Sequence, residues 1–248
     1  MQKLWFSIFD LNFNYQGTEP AFIESEQFDW ATEIAANTDN LKNELHAYLQ
    51  KNDLKSYFNT SMVSKKNTWK TIALKTWDID LYKNQKQFPI TTKLIKKYPQ
   101  ILSASFNLLE PKSNILPHCG DTNAIYRCHL GLEIPATLPD CGFKVKGESR
   151  SWEKGKWLIF MDAYHHEAWN NTENERYIFL MDVMRDDFLP KRNRIISTVI
   201  TSLFLQKRAD KYKFLSFLRA EWLIKLTTLL LRPFALMAIR ICNFLKIY

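Results

Sequence analysis

The middle of the chain consists of short runs of β-forming residues separated by turn sequences, and this pattern limits the possible folds. The runs are rich in β-branched and aromatic residues, and Pro, Gly, Asn and Asp cluster between them. Many short strands with frequent turns are typical of a β-sandwich or a closed barrel, the class that includes jelly rolls and cupins. The predicted strands are 71–74, 102–109, 124–134, 142–145, 157–160 and 177–183.

Helical patterns flank this β region on both sides. Apolar residues recur at helical spacing between residues 20 and 58, and residues 90–98 have the pattern of a short helix on the outside. From Arg194 onward the β pattern ends and the helical pattern returns. We therefore expect a helical N-terminal region packed on the core (1–64), a β domain (65–190) and a basic amphipathic helical tail (191–248).

The net charge of +8 is concentrated in the tail. Residues 191–248 contain twelve Lys and Arg against two acidic residues, a net charge of +10, which leaves −2 for residues 1–190. Because the basic character belongs to an appendage and the β domain is close to neutral, we do not expect nucleic acid to be a partner.

The tail contains an apolar run, 222–245, that is interrupted by Lys225, Arg232 and Arg240. We therefore expect no window long and apolar enough to span a bilayer. On an ideal helix these residues and Lys246 lie within about 120° beside a broad apolar face, and Pro233 is expected to kink or divide the helix. This pattern predicts a helix that lies on an anionic membrane surface. The alternative is a helix docked on the protein's own core or on a second copy.

Cysteine usage and the N-terminus indicate a reducing compartment. The four cysteines form no C-x-x-C pair, which argues against a zinc ribbon or a thioredoxin-like motif. The first apolar run ends at Asp10 without a small-residue cleavage site, so we expect no secretory signal. The predicted location is cytoplasmic, peripheral on the inner face of a membrane.

Histidine and glycine are concentrated in one part of the β region. Four of the five histidines and five of the six glycines lie between residues 118 and 166. Neutral imidazole is the commonest protein metal ligand, so four histidines on neighbouring strands predict a metal site. From spacing alone, His118 and either His165 or His166 could be ligands, and two ligands do not define a zinc site.

An ordered set of motifs resembles the aspartyl/asparaginyl β-hydroxylase family over about residues 65–188. The motifs are His118-x-Gly120-x-x-Asn123, Arg127-x-His129-Leu-Gly-Leu132, Ser151-Trp-Glu-x-Gly155, Asp162, His166-Glu-x-Trp169-Asn and Glu175-Arg176. The resemblance implies a mainly β fold, a double-stranded β-helix of the jelly-roll or cupin-like type. It also implies oxygenase chemistry that depends on Fe(II), 2-oxoglutarate and O2.

The resemblance assigns roles to individual residues. His118 and His166 match the two iron-binding histidines, and the wider superfamily adds a carboxylate two residues after the first, where this chain has Gly120. The β-hydroxylases similarly show Gly at that place. Arg176 matches the arginine that clasps the distal carboxylate of 2-oxoglutarate through two parallel charge-assisted bonds. His129 is expected near the iron-bound carboxylate of the same cosubstrate.

Three more residues are implied at this pocket, each with a plainer alternative. Trp69 matches an aromatic wall, although an aromatic residue in a strand is more often part of the core. Asn107 falls where the family commonly has a serine that binds the distal carboxylate. Arg127 shares a strand face with His129 and matches the partner of the substrate's aspartate carboxylate. Its alternative is a salt bridge across the barrel mouth.

The implied reaction is hydroxylation of an unactivated C–H bond. The leading substrate is the β-carbon of an Asp or Asn residue in a peptide, on a carrier or as a free amino acid. The alternative is a lipid acyl chain, because lipid A and ornithine-lipid hydroxylases belong to the same broad family. The basic tail favours the lipid, whereas Gly120 favours the aspartyl substrate, since lipid A hydroxylases tend to carry Asp there. A third possibility, a cupin-like binding module, conflicts with the intact His118, His166 and Arg176.

Overall fold

Twelve strands and six helices form the part of the chain that this computed structural model describes, residues 3–9, 14–57, 59, 62–211 and 221–248. The strands are β1 (Phe22–Ile23), β2 (Lys55–Ser56), β3 (Trp69–Thr76), β4 (Ile79–Asp80), β5 (Ile101–Leu109), β6 (Ser113–His118), β7 (Ile125–Glu133), β8 (Cys141–Val145), β9 (Glu148–Arg150), β10 (Trp157–Met161), β11 (His166–Asn170) and β12 (Arg176–Met184). The helices are α1 (Asp29–Ala36), α2 (Thr38–Leu49), α3 (Tyr82–Gln85), α4 (Pro89–Lys97), α5 (Arg192–Lys211) and α6 (Glu221–Leu245).

The strands form two antiparallel sheets that face each other. The larger sheet has the order β1-β10-β7-β12-β5-β3-β2, with β4 paired to β3, and the smaller sheet has the order β6-β11-β8-β9. From β5 to β12 the chain passes back and forth between the two sheets. This winding is a double-stranded β-helix, so the predicted jelly-roll fold is confirmed.

The larger sheet is buried on both faces, which explains its continuous apolar strands. Successive residues of a strand point to opposite faces. In β12, Ile178 packs in the barrel interior with Phe143 and Phe160, whereas Phe179 packs in the cluster under α1, α2 and α4. The barrel interior is therefore lined from one side by a rigid, fully covered sheet.

The N-terminal region is helical, as predicted, but it also contributes strands. The helices α1 and α2 lie within the predicted 20–58 segment, and α4 matches the predicted 90–98 helix. However, β1 pairs with β10 and β2 pairs with β3, so residues before 65 extend both edges of the larger sheet. The boundary predicted at residue 64 therefore does not separate helix from sheet.

The tail forms the helices α5 and α6, and its residues 212–220 lie outside the described residues. Pro233 does not divide α6, which runs without a break from Glu221 to Leu245. Residues Trp222–Leu245 are long and apolar enough to cross a membrane by length and composition, with a mean hydropathy of 1.5. The expectation that no window would meet that condition is therefore wrong, because the three basic residues are spaced so that they leave an 18-residue window containing no more than two of them.

Candidate active site

His118 and His166 lie opposite each other on neighbouring strands of the smaller sheet. They are register partners in the β6–β11 pair, and their ring centroids are 4.2 Å apart. His165 precedes His166 by one residue, is exposed, and has its Nε2 2.8 Å from Oδ1 of Asn14. The structure thus distinguishes the two adjacent histidines, which the spacing alone left open.

Both imidazoles are held in the same tautomer by nearby carbonyl groups. The Nδ1 of His118 lies 2.7 Å from the carbonyl oxygen of Leu116, and the Nδ1 of His166 lies 2.8 Å from that of Tyr164. Because a carbonyl oxygen only accepts, each Nδ1 carries the proton and each Nε2 keeps a lone pair. Burial lowers the pKa of His118 to about 4 and that of His166 well below its usual value. Two neutral imidazoles with free Nε2 atoms are suitable metal ligands.

Asp162 places a buried carboxylate beside the histidine pair, and the sequence analysis gave it no role. Its Oδ1 lies 3.9 Å from Nε2 of His166. The backbone nitrogen of Gly120 donates a 2.7 Å hydrogen bond to the carbonyl oxygen of Asp162. A Cβ atom on residue 120 would lie 1.7 Å from Oδ2 of Asp162. The Asp162 carboxylate therefore occupies the space into which a side chain at residue 120 would extend.

Arg127 is already paired with two buried carboxylates. Its Nη1 lies 2.7 Å from Oδ1 of Asp162, and its Nε donates a 2.8 Å hydrogen bond to Oδ1 of Asp182. Burial raises the pKa of Asp162 to about 7, the Arg127 charge opposes this, and the nearby Asp182 and Asp121 add to it. This geometry favours the salt-bridge alternative for Arg127, although it lines the same pocket as the histidines.

Arg176 is a buried cation at the opposite end of this pocket, without a carboxylate partner among the described residues. Its Nε and Nη1 make no hydrogen bond there, and its guanidinium carbon lies 4.4 Å from the centre of the Trp152 ring. Burial lowers the pKa of Arg176 to about 10, so it remains charged at neutral pH. An unpaired buried charge is costly, and an anionic ligand would compensate it. Trp152 has no role in the sequence analysis, yet its ring supports this cation.

His129 lines the pocket with its Nε2 unpaired. The indole nitrogen of Trp152 donates a 3.4 Å hydrogen bond to Nδ1 of His129, and burial lowers the imidazole pKa well below its usual value. Since Nδ1 accepts, Nε2 carries the proton of the neutral ring. That buried Nε2 has no hydrogen-bond partner among the described residues. It is therefore a donor available to a ligand.

Trp69 and Asn107 also line the pocket, but they bind each other. The indole nitrogen of Trp69 donates a 3.0 Å hydrogen bond to Oδ1 of Asn107, whose Nδ2 donates a 2.8 Å bond to Oγ of Ser105. Tyr57 stacks on Trp69 at a centroid distance of 3.9 Å. Trp69 thus lines the pocket, whereas Asn107 must give up a bond to contact a carboxylate.

These features fit a metal ion and a small dicarboxylate. No group of three or more His, Cys, Asp or Glu side chains within the described ranges is arranged to hold a metal ion. The available protein ligands are the two imidazoles, with Asp162 beside them. The unpaired donors of Arg176 and His129 suit carboxylate groups. Phe143 and Phe160 pack around the histidines and make the surroundings apolar.

A family profile described as aspartyl/asparaginyl β-hydroxylase matches residues 35–186, more than half of the chain. The chain belongs to this family. An ornithine lipid ester-linked acyl 2-hydroxylase of Rhizobium tropici is 29% identical over 217 residues, which cover 84% of this chain and 77% of that protein. The aspartyl/asparaginyl β-hydroxylase of Homo sapiens is 33% identical over 116 residues, 45% of this chain but only 15% of that protein. These relatives are hydroxylases, as the resemblance implied.

Solved structures with a similar arrangement are cupins. A cupin 2 conserved barrel domain protein from Salinispora arenicola aligns with a TM-score of 0.33 and 10% identity, over 55% of this chain and 92% of that one. The fold assignment itself follows from the strand order of the two sheets.

Proposed function

We propose that this protein is an Fe(II)- and 2-oxoglutarate-dependent dioxygenase that hydroxylates an unactivated C–H bond. The observation that carries this proposal is one pocket holding two neutral imidazoles with free Nε2 atoms and a buried, unpaired Arg176. The free imidazole nitrogens suit a metal ion, and the unpaired guanidinium suits a carboxylate group of the cosubstrate.

The residues have separate tasks in this reaction. His118 and His166 would hold the iron, and Asp162 would accept a hydrogen bond from water at the third position, where Gly120 offers no ligand. Arg176 would bind the distal carboxylate of 2-oxoglutarate, stacked on Trp152, while Nε2–H of His129 would donate to the proximal carboxylate. When bound, the iron and cosubstrate together supply the oxidising power for O2-dependent hydroxylation. The aromatic rings beside the histidines make their surroundings apolar.

We favour a lipid acyl chain as the substrate. The similarity to the ornithine-lipid acyl 2-hydroxylase extends over 84% of the chain, well beyond the family domain. Arg127, the expected partner of a substrate aspartate, is engaged by Asp162 and Asp182. The second candidate is the β-carbon of an Asp or Asn residue, which the 33% identity to the human β-hydroxylase domain favours. The lipid assignment also suits a cytoplasmic enzyme that acts at the inner face of a membrane.

The test compares lipids and peptides from cells with and without the protein by untargeted mass spectrometry. We expect a gain of one oxygen in an acyl chain, which the purified protein reproduces with Fe(II), 2-oxoglutarate and O2. The His166→Ala variant should lose this activity, and the adjacent His165→Ala variant is the matched control. A gain of oxygen confined to peptides would assign the aspartyl substrate instead. No 2-oxoglutarate turnover with either class would overturn the proposal.

A further inference from the structure

One face of α6 is almost entirely apolar and exposed. Sixteen large hydrophobic side chains are exposed in the described part of the chain, and nine of them lie on this helix, with exposed fractions between 44% and 85%. We call this surface the apolar face; it consists of Trp222, Leu226, Leu229, Leu230, Phe234, Met237, Ile241, Phe244 and Leu245. An exposed apolar patch of this extent indicates an interaction site.

The opposite face of α6 packs on α5, on the 3-10 turn Ser7–Phe9 and on β4. Ile224, Thr228 and Ile239 are buried, and both isoleucines belong to one cluster with residues of α5 and of the larger sheet. From Ile224 to Ile239 the helix advances about 22 Å at about 1.5 Å per residue. The docking is therefore lengthwise and not confined to one end.

Asn243 fixes the C-terminal end of the helix to the β3–β4 turn. Its Oδ1 accepts a 3.0 Å hydrogen bond from the backbone nitrogen of Asp80, and its Nδ2 donates a 2.8 Å bond to the carbonyl oxygen of Asp78. The hydroxyl of Tyr82 donates a 3.0 Å bond to the carbonyl oxygen of Asn243. These bonds hold the C-terminal end of α6 against the turn, and the buried Ile224 packs near its N-terminal end.

This docking decides how the helix can meet a membrane. If α6 crossed the bilayer, the protein surface packed on it between Ile224 and Ile239 would be carried into the hydrocarbon core, where exposed irregular backbone is not tolerated. If α6 lies parallel to the surface, only the apolar face enters the lipid and the barrel stays in water. The helix is therefore apolar enough to span a membrane, but its docking on the protein favours an orientation parallel to the membrane surface.

The charge of the helix indicates which surface covers the apolar face. The helix contains Lys225, Arg232 and Arg240 against one acidic residue, Glu221 at its start, and Lys246 follows directly after it. On the helical projection, at about 100° per residue, Lys225 and Arg232 lie on one flank of the apolar face and Arg240 lies within it, beside Trp222. Basic side chains at that level meet the headgroups of anionic phospholipids, and their aliphatic stems remain in apolar surroundings.

The same cluster connects α6 to the loop that follows His118. The 3-10 turn Ser7–Phe9 contacts α6, and Ile8 shares the cluster with Ile224 and Ile239. The backbone nitrogen of Ser7 donates a 3.0 Å hydrogen bond to the carbonyl oxygen of Asp121. Only the 3-10 turn Ser7–Phe9 would therefore separate a membrane bound by α6 from the loop that follows His118.

We propose that α6 is an in-plane anchor that inserts its apolar face into one leaflet of an anionic bilayer without spanning it. The proposal rests on the proposed function, because it gives an acyl-chain hydroxylase a fixed orientation at the surface that contains its substrate. The occupant of the apolar face is thus a phospholipid leaflet and not a second copy of this chain.

The orientation is tested by the depth of three positions on one line of the helix. Leu226, Met237 and Phe244 are replaced one at a time by Cys in the full-length Cys119→Ser, Cys242→Ser protein and spin-labelled. The protein is bound to vesicles of phosphatidylcholine and phosphatidylglycerol, and depth is measured by power saturation. An in-plane helix places the three labels at one shallow depth. A spanning helix separates the first and last labels by about 27 Å, from 18 residues at 1.5 Å each, and would overturn the proposal.

The occupant is tested by paired charge substitutions. Phe234→Glu on the apolar face is expected to reduce vesicle binding at least tenfold. The substitution replaces an aromatic ring that would be buried in the bound leaflet by a charged side chain. Ile90→Glu, at an exposed position of α4, adds the same charge and should bind like the wild type. Equal binding of the two variants would overturn the proposal, as would a lipid-free dimer that Phe234→Glu dissociates. Turnover of 2-oxoglutarate with a detergent-dispersed acyl substrate is measured in parallel, so failure of the anchor is distinguished from failure of the hydroxylase.

Discussion

Replacing Gly120 by Ala should destabilise the protein by displacing Asp162. The added Cβ would lie 1.7 Å from Oδ2 and 2.0 Å from Cγ of Asp162, far inside van der Waals contact. The backbone cannot retreat easily, because the Gly120 nitrogen is hydrogen-bonded to the Asp162 carbonyl oxygen at 2.7 Å. The carboxylate must therefore rotate away and lose its 2.7 Å ion pair with Arg127.

The size of the effect follows from the burial of that ion pair. Breaking a buried pair costs about 3–5 kcal/mol, and we expect the lower end because Arg127 keeps its second partner, Asp182. For a chain of this length each kcal/mol lowers the melting temperature by about 2–4 °C, so a decrease of about 6–12 °C is expected.

Thermal melting followed by circular dichroism measures the change, and a double variant provides the control. In Gly120→Ala combined with Asp162→Ala the overlap is gone, so the double variant should be no less stable than Asp162→Ala alone. This non-additivity identifies the contact. A Gly120→Ala variant with the same melting temperature as the wild type would refute the close packing of Gly120 on Asp162. The same packing predicts that Gly120→Asp cannot simply supply a third ligand.

Three further predictions concern the histidines and Arg176. His166→Ala should abolish Fe(II) binding and 2-oxoglutarate turnover, whereas His165→Ala should retain both; equal loss would contradict the observed register. Arg176→Lys should raise the 2-oxoglutarate concentration for half-maximal turnover at least tenfold with unchanged metal affinity, because a point charge replaces a planar fork. His129 is neutral when folded but protonated below pH 6.5 when unfolded. Its contribution to stability is therefore lost as the pH falls. Urea titrations of the metal-free protein measure this loss. The difference in the free energy of unfolding between the wild type and His129→Gln should become smaller between pH 6.5 and pH 5.

The sequence predicts the larger sheet better than the smaller one. Strands β5, β7, β10 and β12 are buried on both faces and appear as apolar runs, so each was predicted within a few residues. The smaller sheet exposes one face, and β6 alternates buried Ser113 and Ile115 with exposed Asn114 and Leu116 before Pro117. Such a short polar strand is indistinguishable from a turn in sequence, and both β6 and β11 were missed although they carry the two histidines.

The site shows the same division between local pattern and tertiary contact. Motif positions assigned His118, His166 and Arg176 to the site, and all three line one pocket. The pairing of Arg127 with Asp162 and Asp182 joins three strand ends that are distant in sequence. The support of Arg176 by Trp152 also arises only when the two sheets close. The periodicity of a sequence contains no information on contacts between distant residues. The salt-bridge alternative for Arg127 therefore could not be preferred from the sequence.

Under the proposed function, the carbonyl groups that orient the two imidazoles would also determine how the iron is loaded. Each carbonyl belongs to the residue two positions before its histidine, in β6 for His118 and in the turn before β11 for His166, so the ring orientation is set locally and does not depend on the metal. Loading is then a binding step on a folded chain, unlike the metal-driven folding of a zinc finger. A chelator should silence the enzyme without unfolding it, and added Fe(II) should restore it. Under the proposed function, the available Fe(II) would set the active fraction while the amount of protein stays constant.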